Sequence, residues 1–295
     1  MSSPQPLSRR TIMSAAAIAS LARPAAPASV DRTAPYTLSV NIEIMFPRTM
    51  PRAQRMEAVA AHGMKAYSFW TASAEEREAM LAVQRRTNLK CASIVGSGKP
   101  GQSTGLTEPG FEEAYLEAIT ENCEISKNFG GPDLIIFVGQ VQDDVAPETQ
   151  HRQIVAGLKK AGDIAQKYGV YLVLEALNRV ESPKMSVLTA RENFRIISEV
   201  EHPHVKVDFD MYHLQLSEGN LTNNLKLGLK EGWIRLVQIG EVPGRKEPGT
   251  GEIDTAYMFR ILREAGYNGY VDMEHGTSTT PEHAMDVVTK LSLEN

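Results

Sequence analysis

Four residues stand at the ends of four consecutive apolar runs, and each can bind a hard or borderline cation. Glu175 closes VYLVLE, Asp210 follows VKVDF, Gln238 sits within LVQIG, and Glu274 closes YVDME. They are separated by 35, 28 and 36 residues, each about one strand and one helix. Three carboxylates and an amide oxygen form an oxygen-rich set, which suits Mg²⁺ or Mn²⁺ better than structural zinc. Carboxylates gathered without partners repel, and a divalent cation resolves that repulsion. A single strand-end acid can simply meet solvent or a helix N-terminus; four in register argue for a site. Asp208 rivals Asp210, since it lies two residues earlier on the same face and spacing does not choose between them.

Three further residues lie beside this set. His213 follows Asp210 in DMYHLQ and can donate to a substrate hydroxyl or carbonyl. Arg245 sits in the loop after LVQIG, where a guanidinium would grip a substrate carboxylate with two hydrogen bonds. Glu181, six residues beyond Glu175, is another substrate-contact candidate, with an ordinary loop acid as the plain alternative. The loop itself, within LVQIGEVPGRKEPGTGEID at 236–254, carries Pro243, Gly244, Pro248, Gly249 and Gly251. Glycine and proline at that density end regular structure. Asp254 or Thr255 can then cap a helix carrying Tyr257, Met258, Ile261 and Leu262.

Such residues need a frame that brings strand ends together. From Tyr36 onward short apolar runs alternate with longer amphipathic ones. Strands are expected at Tyr36–Phe46, Met64–Trp70, Leu89–Val95, Asp133–Val138, Val170–Leu177, Val205–Phe209, Ile234–Ile239 and Tyr270–Glu274. Helices are expected at Arg52–His62, Ala74–Thr87, Pro109–Phe129, Pro147–Tyr168, Thr189–Val200, Asn220–Glu231 and Ala256–Ala265, with a glycine-rich loop at Gly96–Gly105. Eight strands alternating with helices over about 260 residues is the pattern of an α/β (β/α)8 barrel. An open doubly wound sheet competes, but no G-x-G-x-x-G follows the first strand. No composition shift divides residues 36–295, so they are read as one domain.

The chain has 295 residues, 42% hydrophobic and 23% charged, with net charge −5. That balance argues against nucleic acid, which calls for a basic face. Cys91 and Cys123 give neither a disulfide framework nor a CxxC metal site and read as buried free thiols. At the N-terminus, Arg9 and Arg10 precede the Ala-rich run Ser14–Ala22, and Ala26-Pro27-Ala28 offers a cleavage site. Residues 1–28 therefore read as a twin-arginine export signal and 29–35 as a linker. The expected location is periplasmic, or cytoplasmic if the signal does not function. The apolar run is too short for a stable membrane span. Removing residues 1–28 takes away Arg9, Arg10 and Arg23 and shifts the net charge to −8. Charge and composition are compatible with a monomer or a homodimer.

The second half of the chain resembles the hydroxypyruvate isomerase family within the xylose-isomerase-like barrels. The matching pieces are LEALN at 174–178, DMYHLQ at 210–215, EGNL at 218–221, VQIGEVPGRKEPGTGEI at 237–253 and GYNGYVDMEH at 266–275. The first half matches more loosely through SVNIEIMF at 39–46. The resemblance implies Glu175 and Glu274 as the proton-transfer pair and as metal ligands. It places Asp210, ahead of Asp208, on the aspartate ligand. Gln238 falls where these isomerases have glutamine and related epimerases have histidine; His213 and Arg245 match substrate-binding positions. Met273-Glu274-His275 departs from the usual Cys-Glu-Tyr, and the family is usually cytoplasmic. LEALNRVE also resembles the ketose 3-epimerases, whose second glutamate would be Glu181.

The implied activity is metal-dependent isomerisation of a small hydroxy-carbonyl compound through an enediolate, with hydroxypyruvate to tartronate semialdehyde as the expected reaction. Epimerisation of a tagatose- or psicose-type ketose at C3 uses the same groups and is the alternative. A phosphodiester-cleaving barrel would need several histidines around a metal cluster and a basic surface. An exported carbohydrate-binding barrel without catalysis would not need Glu175 and Glu274.

Overall fold

The computed structural model describes Met1 and residues 34–97 and 105–294. Apart from Met1, the expected export segment lies outside the described residues, as do 98–104 in the glycine-rich loop. Residues Thr33–Asn295 form one compact unit. Its strands are β1 (Thr37–Asn41), β2 (Ala66–Ser68), β3 (Lys90–Cys91), β4 (Ser93–Ser97), β5 (Asp133–Ile136), β6 (Leu172–Glu175), β7 (Val205–Asp210), β8 (Ile234–Ile239) and β9 (Tyr270–Met273). All the ladders are parallel, in the order β3-β2-β1-β9-β8-β7-β6-β5-β4. The expected third strand is divided at Ala92. There the N–H donates to Tyr67 on one side while the carbonyl accepts from Asp133 on the other. β3 and β4 are thus halves of one stave, and the nine strands make a nearly closed eight-stave barrel.

The described helices are α1 (Arg52–Ala61), α2 (Ala74–Thr87), α3 (Glu112–Asn128), α4 (Pro147–Tyr168), α5 (Ala190–Val200), α6 (Met211–Ser217), α7 (Leu221–Lys230), α8 (Thr255–Glu264) and α9 (Pro281–Glu294). Local chemistry fixes several starts. Ser73 and Glu76 form a reciprocal capping box on α2, while Thr189 caps α5 and Asp254 caps α8. α6 escaped the periodicity reading because seven residues are too few to show a period. α9 was also not anticipated. None of these helices is long and apolar enough to cross a membrane.

Side-chain alternation in the strands decides what faces the barrel axis. Leu134, Ile136, Leu172, Leu174, Val207, Phe209, Val237, Ile239, Val271 and Met273 belong to the apolar layer between sheet and helices. Their neighbours one residue away point inward. On β4–β6 these inward residues are Val95, Ile135, Phe137 and Val173, part of a second apolar cluster. On β7–β9 and β1 the same parity brings in Asp208, Asp210, Gln238, Asp272, Ser39 and Asn41, all buried. The interior therefore combines an apolar cluster, which Leu236 of β8 joins, with buried polar groups that are densest on β7–β9 and β1. Cys91 and Cys123 are buried free thiols, as expected.

Candidate active site

β6 and β7 pair in register, with Glu175 opposite Asp208; β7 and β8 set Asp210 opposite Gln238, which in turn faces Asp272 of β9. Strand tilt in a barrel staggers these layers, so Glu175, Asp210 and Glu274 converge at the strand C-termini. Glu175, Asp210 and His213 each offer a ligand atom within 4.8 Å of the others. His213 Nε2 lies 3.4 Å from Glu175 Oε1 and 3.6 Å from Asp210 Oδ2. Asp210 does two jobs. Its Oδ1 accepts the backbone N–H groups of Tyr212 and His213, at 2.7 and 3.2 Å, and so starts α6. Its Oδ2 faces the cluster. Asp208 instead lies one inward step deeper, buried, with both carboxylate oxygens unpartnered among the described residues.

Arg245, expected to grip a substrate carboxylate, rests here on the protein's own acids. Its Nη2 donates to Glu274 Oε2 at 2.7 Å and to Asp210 Oδ2 at 3.1 Å, and the guanidinium carbon sits 4.6 Å over the Tyr212 ring. The physical reason is charge: one cation at the mouth is drawn onto the acids already there. The residue is held in the left-handed region at φ 46°, a conformation that costs a non-glycine residue about 1–3 kcal/mol and persists only when its surroundings fix it. Those surroundings are two buried acids whose roles the sequence did not disclose. Glu241 accepts from the N–H groups of Gly249 and Ile253 at 3.2 and 2.9 Å and from the Thr255 hydroxyl at 3.3 Å. Glu247 accepts from the Ser278 N–H at 2.8 Å and from its hydroxyl. A Cβ at Gly251 would meet the Val242 carbonyl oxygen at 2.1 Å, so this close return of the loop requires glycine.

Glu274 is held from the other side by residues that sequence reading did not single out. Asn41 Nδ2 and the Trp70 indole N–H donate to its Oε1 at 3.2 and 2.9 Å. Asn41 lies in the middle of the expected strand Tyr36–Phe46 and Trp70 at the end of the second, and neither was given a role; in the structure Asn41 ends β1. Glu181 reaches the same neighbourhood. It accepts from the Tyr212 hydroxyl at 2.7 Å and from Asn178 Nδ2 at 2.8 Å.

Electrostatics follow from crowding. Burial, then the neighbouring charges of Glu274 and Asp210, push the Glu175 carboxyl well up. Burial and Asp210 raise Glu274, against the pull of Arg245. Burial lowers His213 to about 4 despite Asp210, leaving a neutral imidazole near pH 7. Burial alone would raise Glu181; the donors Tyr212 and Asn178 outweigh it and hold the carboxyl below its ordinary range.

Asp210 and Glu274 thus share the Arg245 guanidinium while Glu175 faces the neutral His213 at 3.4 Å, so the buried acids here exceed the cation paired with them. Gln238 is fully buried, and its amide oxygen has no hydrogen-bond partner among the described residues. A buried amide oxygen without a donor, beside uncompensated carboxylates, is what an oxygen-ligated divalent cation needs. The donor set fits such an ion.

A family model described as the xylose isomerase-like TIM barrel matches residues 56–291. The hydroxypyruvate isomerase of Escherichia coli (strain K12) is 27% identical over 247 residues, covering 83% of this chain and 95% of that protein. The 2-oxo-tetronate isomerase of Haemophilus influenzae is 29% identical over 243 residues, covering 80% and 92%. Among solved structures, an AP endonuclease of family 2 from Brucella melitensis superimposes with a TM-score of 0.78 at 21% identity, covering 86% of this chain and 98% of that one. At that identity the likeness concerns the fold.

Proposed function

The chain belongs to the xylose isomerase-like TIM barrel family, and from that premise we propose that it is an isomerase of small hydroxy-carbonyl compounds, with hydroxypyruvate as substrate and tartronate semialdehyde as product. The observation that carries this reading is the buried grouping of Glu175, Asp210 and Glu274 around a single guanidinium. The names of the relatives from E. coli and H. influenzae support the substrate class. Glu175, Asp210, Gln238 and Glu274 would hold a divalent cation, Mg²⁺ or Mn²⁺. When bound, that ion polarises the substrate carbonyl and offsets charge growing on its oxygen.

The chain's own residues do the rest. One of the two glutamates, Glu175 or Glu274, removes a C3 proton, and the C–H electron pair becomes the double bond of an enediolate. The other delivers a proton to C2, while the C3 hydroxyl proton passes to the former carbonyl oxygen, so atoms and charge balance. Burial suits both glutamates to this work, because it raises their proton affinity toward the working pH. Asn41 and Trp70 fix Glu274 by its Oε1 and leave Oε2 toward the cluster. His213 donates to a substrate oxygen. Arg245 is placed to exchange a protein carboxylate for the substrate's own.

Epimerisation of a ketose at C3 is the second reading, favoured by the position of Glu181 on Tyr212 and Asn178 beside His213, where it can accept from sugar hydroxyls. Solvent-deuterium exchange followed by NMR separates the two, using the chain with Mg²⁺ and hydroxypyruvate, fructose, tagatose or psicose. Metal-dependent exchange at hydroxypyruvate C3 with tartronate semialdehyde appearing is the expected result. Exchange at ketose C3 with a new epimer would replace it, and exchange with none of them would overturn both. We read residues 1–28 as a twin-arginine signal and the chain as periplasmic; replacing Arg9 and Arg10 with lysine should keep it in the cytoplasm on fractionation.

A further inference from the structure

LEALN carries a residue that the proposed reaction leaves unused. Asn178 is fully buried between the Glu175 strand and His213. Its Oδ1 accepts two backbone N–H groups, from Val180 at 2.9 Å and Glu181 at 2.7 Å. Only an oxygen can accept both, so the orientation of this amide is set by the backbone of its own loop. Its Nδ2 must then face the other way. One Nδ2 hydrogen goes to Glu181 Oε2 at 2.8 Å, and His213 Nδ1 lies 2.7 Å from the same nitrogen. An amide nitrogen only donates, so His213 Nδ1 has to accept, with a bare lone pair. A proton on Nδ1 would oppose the amide N–H, which rules out the other tautomer and the imidazolium alike.

From this geometry we propose that Asn178 is a positioning residue that fixes His213 as the neutral imidazole with its proton on Nε2, making His213 a hydrogen-bond donor to the substrate and keeping it out of the metal-ligand set. The consequence is specific, because Nε2 is the ring nitrogen that faces Glu175 Oε1 and Asp210 Oδ2, at 3.4 and 3.6 Å. Position alone would let His213 join those carboxylates around a cation. A protonated ring nitrogen has no lone pair in the ring plane to give, so the tautomer sorts the cluster into ligands and donor. The remaining set, Glu175, Asp210, Gln238 and Glu274, is all oxygen. Tyr212 completes the arrangement by donating to the other oxygen of Glu181, which holds the acceptor that Asn178 leans on.

The donor role rests on the isomerase reading, but the tautomer does not, and the two fail in different experiments. The tautomer is tested on the full chain labelled with ¹⁵N-histidine. Long-range ¹H–¹⁵N correlation distinguishes protonated from bare ring nitrogens, and His213→Gln assigns the signal. We expect the proton on Nε2, with Nδ1 bare, and the same pattern after saturation with Mg²⁺. A proton on Nδ1, or an Nε2 that becomes bare when Mg²⁺ binds, overturns the proposal. Asn178→Asp keeps the acceptor for the Val180 and Glu181 N–H groups yet offers Nδ1 only an acceptor. It should move the proton to Nδ1 and lower kcat about 10–100-fold with little change in KM, the scale on which residues behind the reacting groups act. Asn178→Asp combined with Glu181→Gln removes the facing carboxylates and keeps the experiment readable if the single variant folds poorly. An Nε2–H imidazole in both variants would show that Asn178 does not set the tautomer.

Discussion

At the strand starts, the buried carboxylate of Asp133 meets Arg235 Nε at 2.8 Å, one acid to one base. The guanidinium is stacked 3.5 Å over the Tyr171 ring, and the Tyr267 hydroxyl donates to the Arg235 carbonyl at 2.8 Å. At the strand ends, Asp210 and Glu274 share Arg245, with Glu175 also in its field. Both ends bury carboxylates against an arginine over a tyrosine. They differ in stoichiometry, and in the atoms left over. Around Asp133 the charges match and the pair closes the bottom of the barrel. At the mouth, acids in excess of the cation and the unpartnered Gln238 amide oxygen remain for something else to satisfy. A matched buried pair reads as structure, whereas a mismatched one with orphaned donors and acceptors reads as a site.

That contrast breaks if mutations at the two ends behave alike. The largest effect should come from Glu274→Gln. Losing one of the two proposed proton-transfer groups should lower turnover of hydroxypyruvate, the proposed substrate, by about 10²–10⁴-fold, while the melting temperature holds or rises because a group whose charge is disfavoured has gone. Unchanged turnover would remove Glu274 from catalysis. Arg235→Ala should do the reverse. It strands a buried carboxylate and costs about 3 kcal/mol near neutral pH, measured by urea unfolding, with the loss shrinking in acid as Asp133 takes up a proton.

The pH dependence sharpens the same point. Burial raises Asp133 from 3.8 to about 6, against the pull of Arg235. The folded state then holds this proton more tightly than the unfolded chain. The stability from this group is therefore full below pH 3.8 and lost as pH rises through about 6, by up to about 3 kcal/mol. Asp133→Asn should flatten that component of the stability profile and leave turnover intact. The smallest effect concerns the mouth again: Mg²⁺ at a hundred times its Kd should stabilise the native chain by about 2.7 kcal/mol. Glu274→Gln should reduce this gain, and Asp133→Asn should not. Equal metal stabilisation in both variants would place the cation elsewhere.

Much of this was legible from residue types in order. The strand-helix alternation gave the barrel, and α2 and α4 match their expected bounds because capping and breaking residues mark both ends. The strand-end positions of Glu175, Asp210, Gln238 and Glu274 follow from period-two alternation, which is local. The preference for Asp210 over Asp208 was not local. It came from resemblance; in the structure Asp210 caps α6 and turns one oxygen to the mouth, while Asp208 lies a layer below.

What the sequence by itself determined is therefore the parity and spacing of the inward residues, because both are set by backbone periods a few residues long. Only the tertiary structure decided the pairings. Arg245 on Asp210 and Glu274, Asn41 and Trp70 on Glu274, and Asn178 behind His213 are mostly contacts between distant segments. Whether a side chain becomes ligand, donor or counter-ion there depends on the charges and hydrogen-bond partners that the closed barrel brings within about 3 Å, and no stretch of sequence carries that information alone.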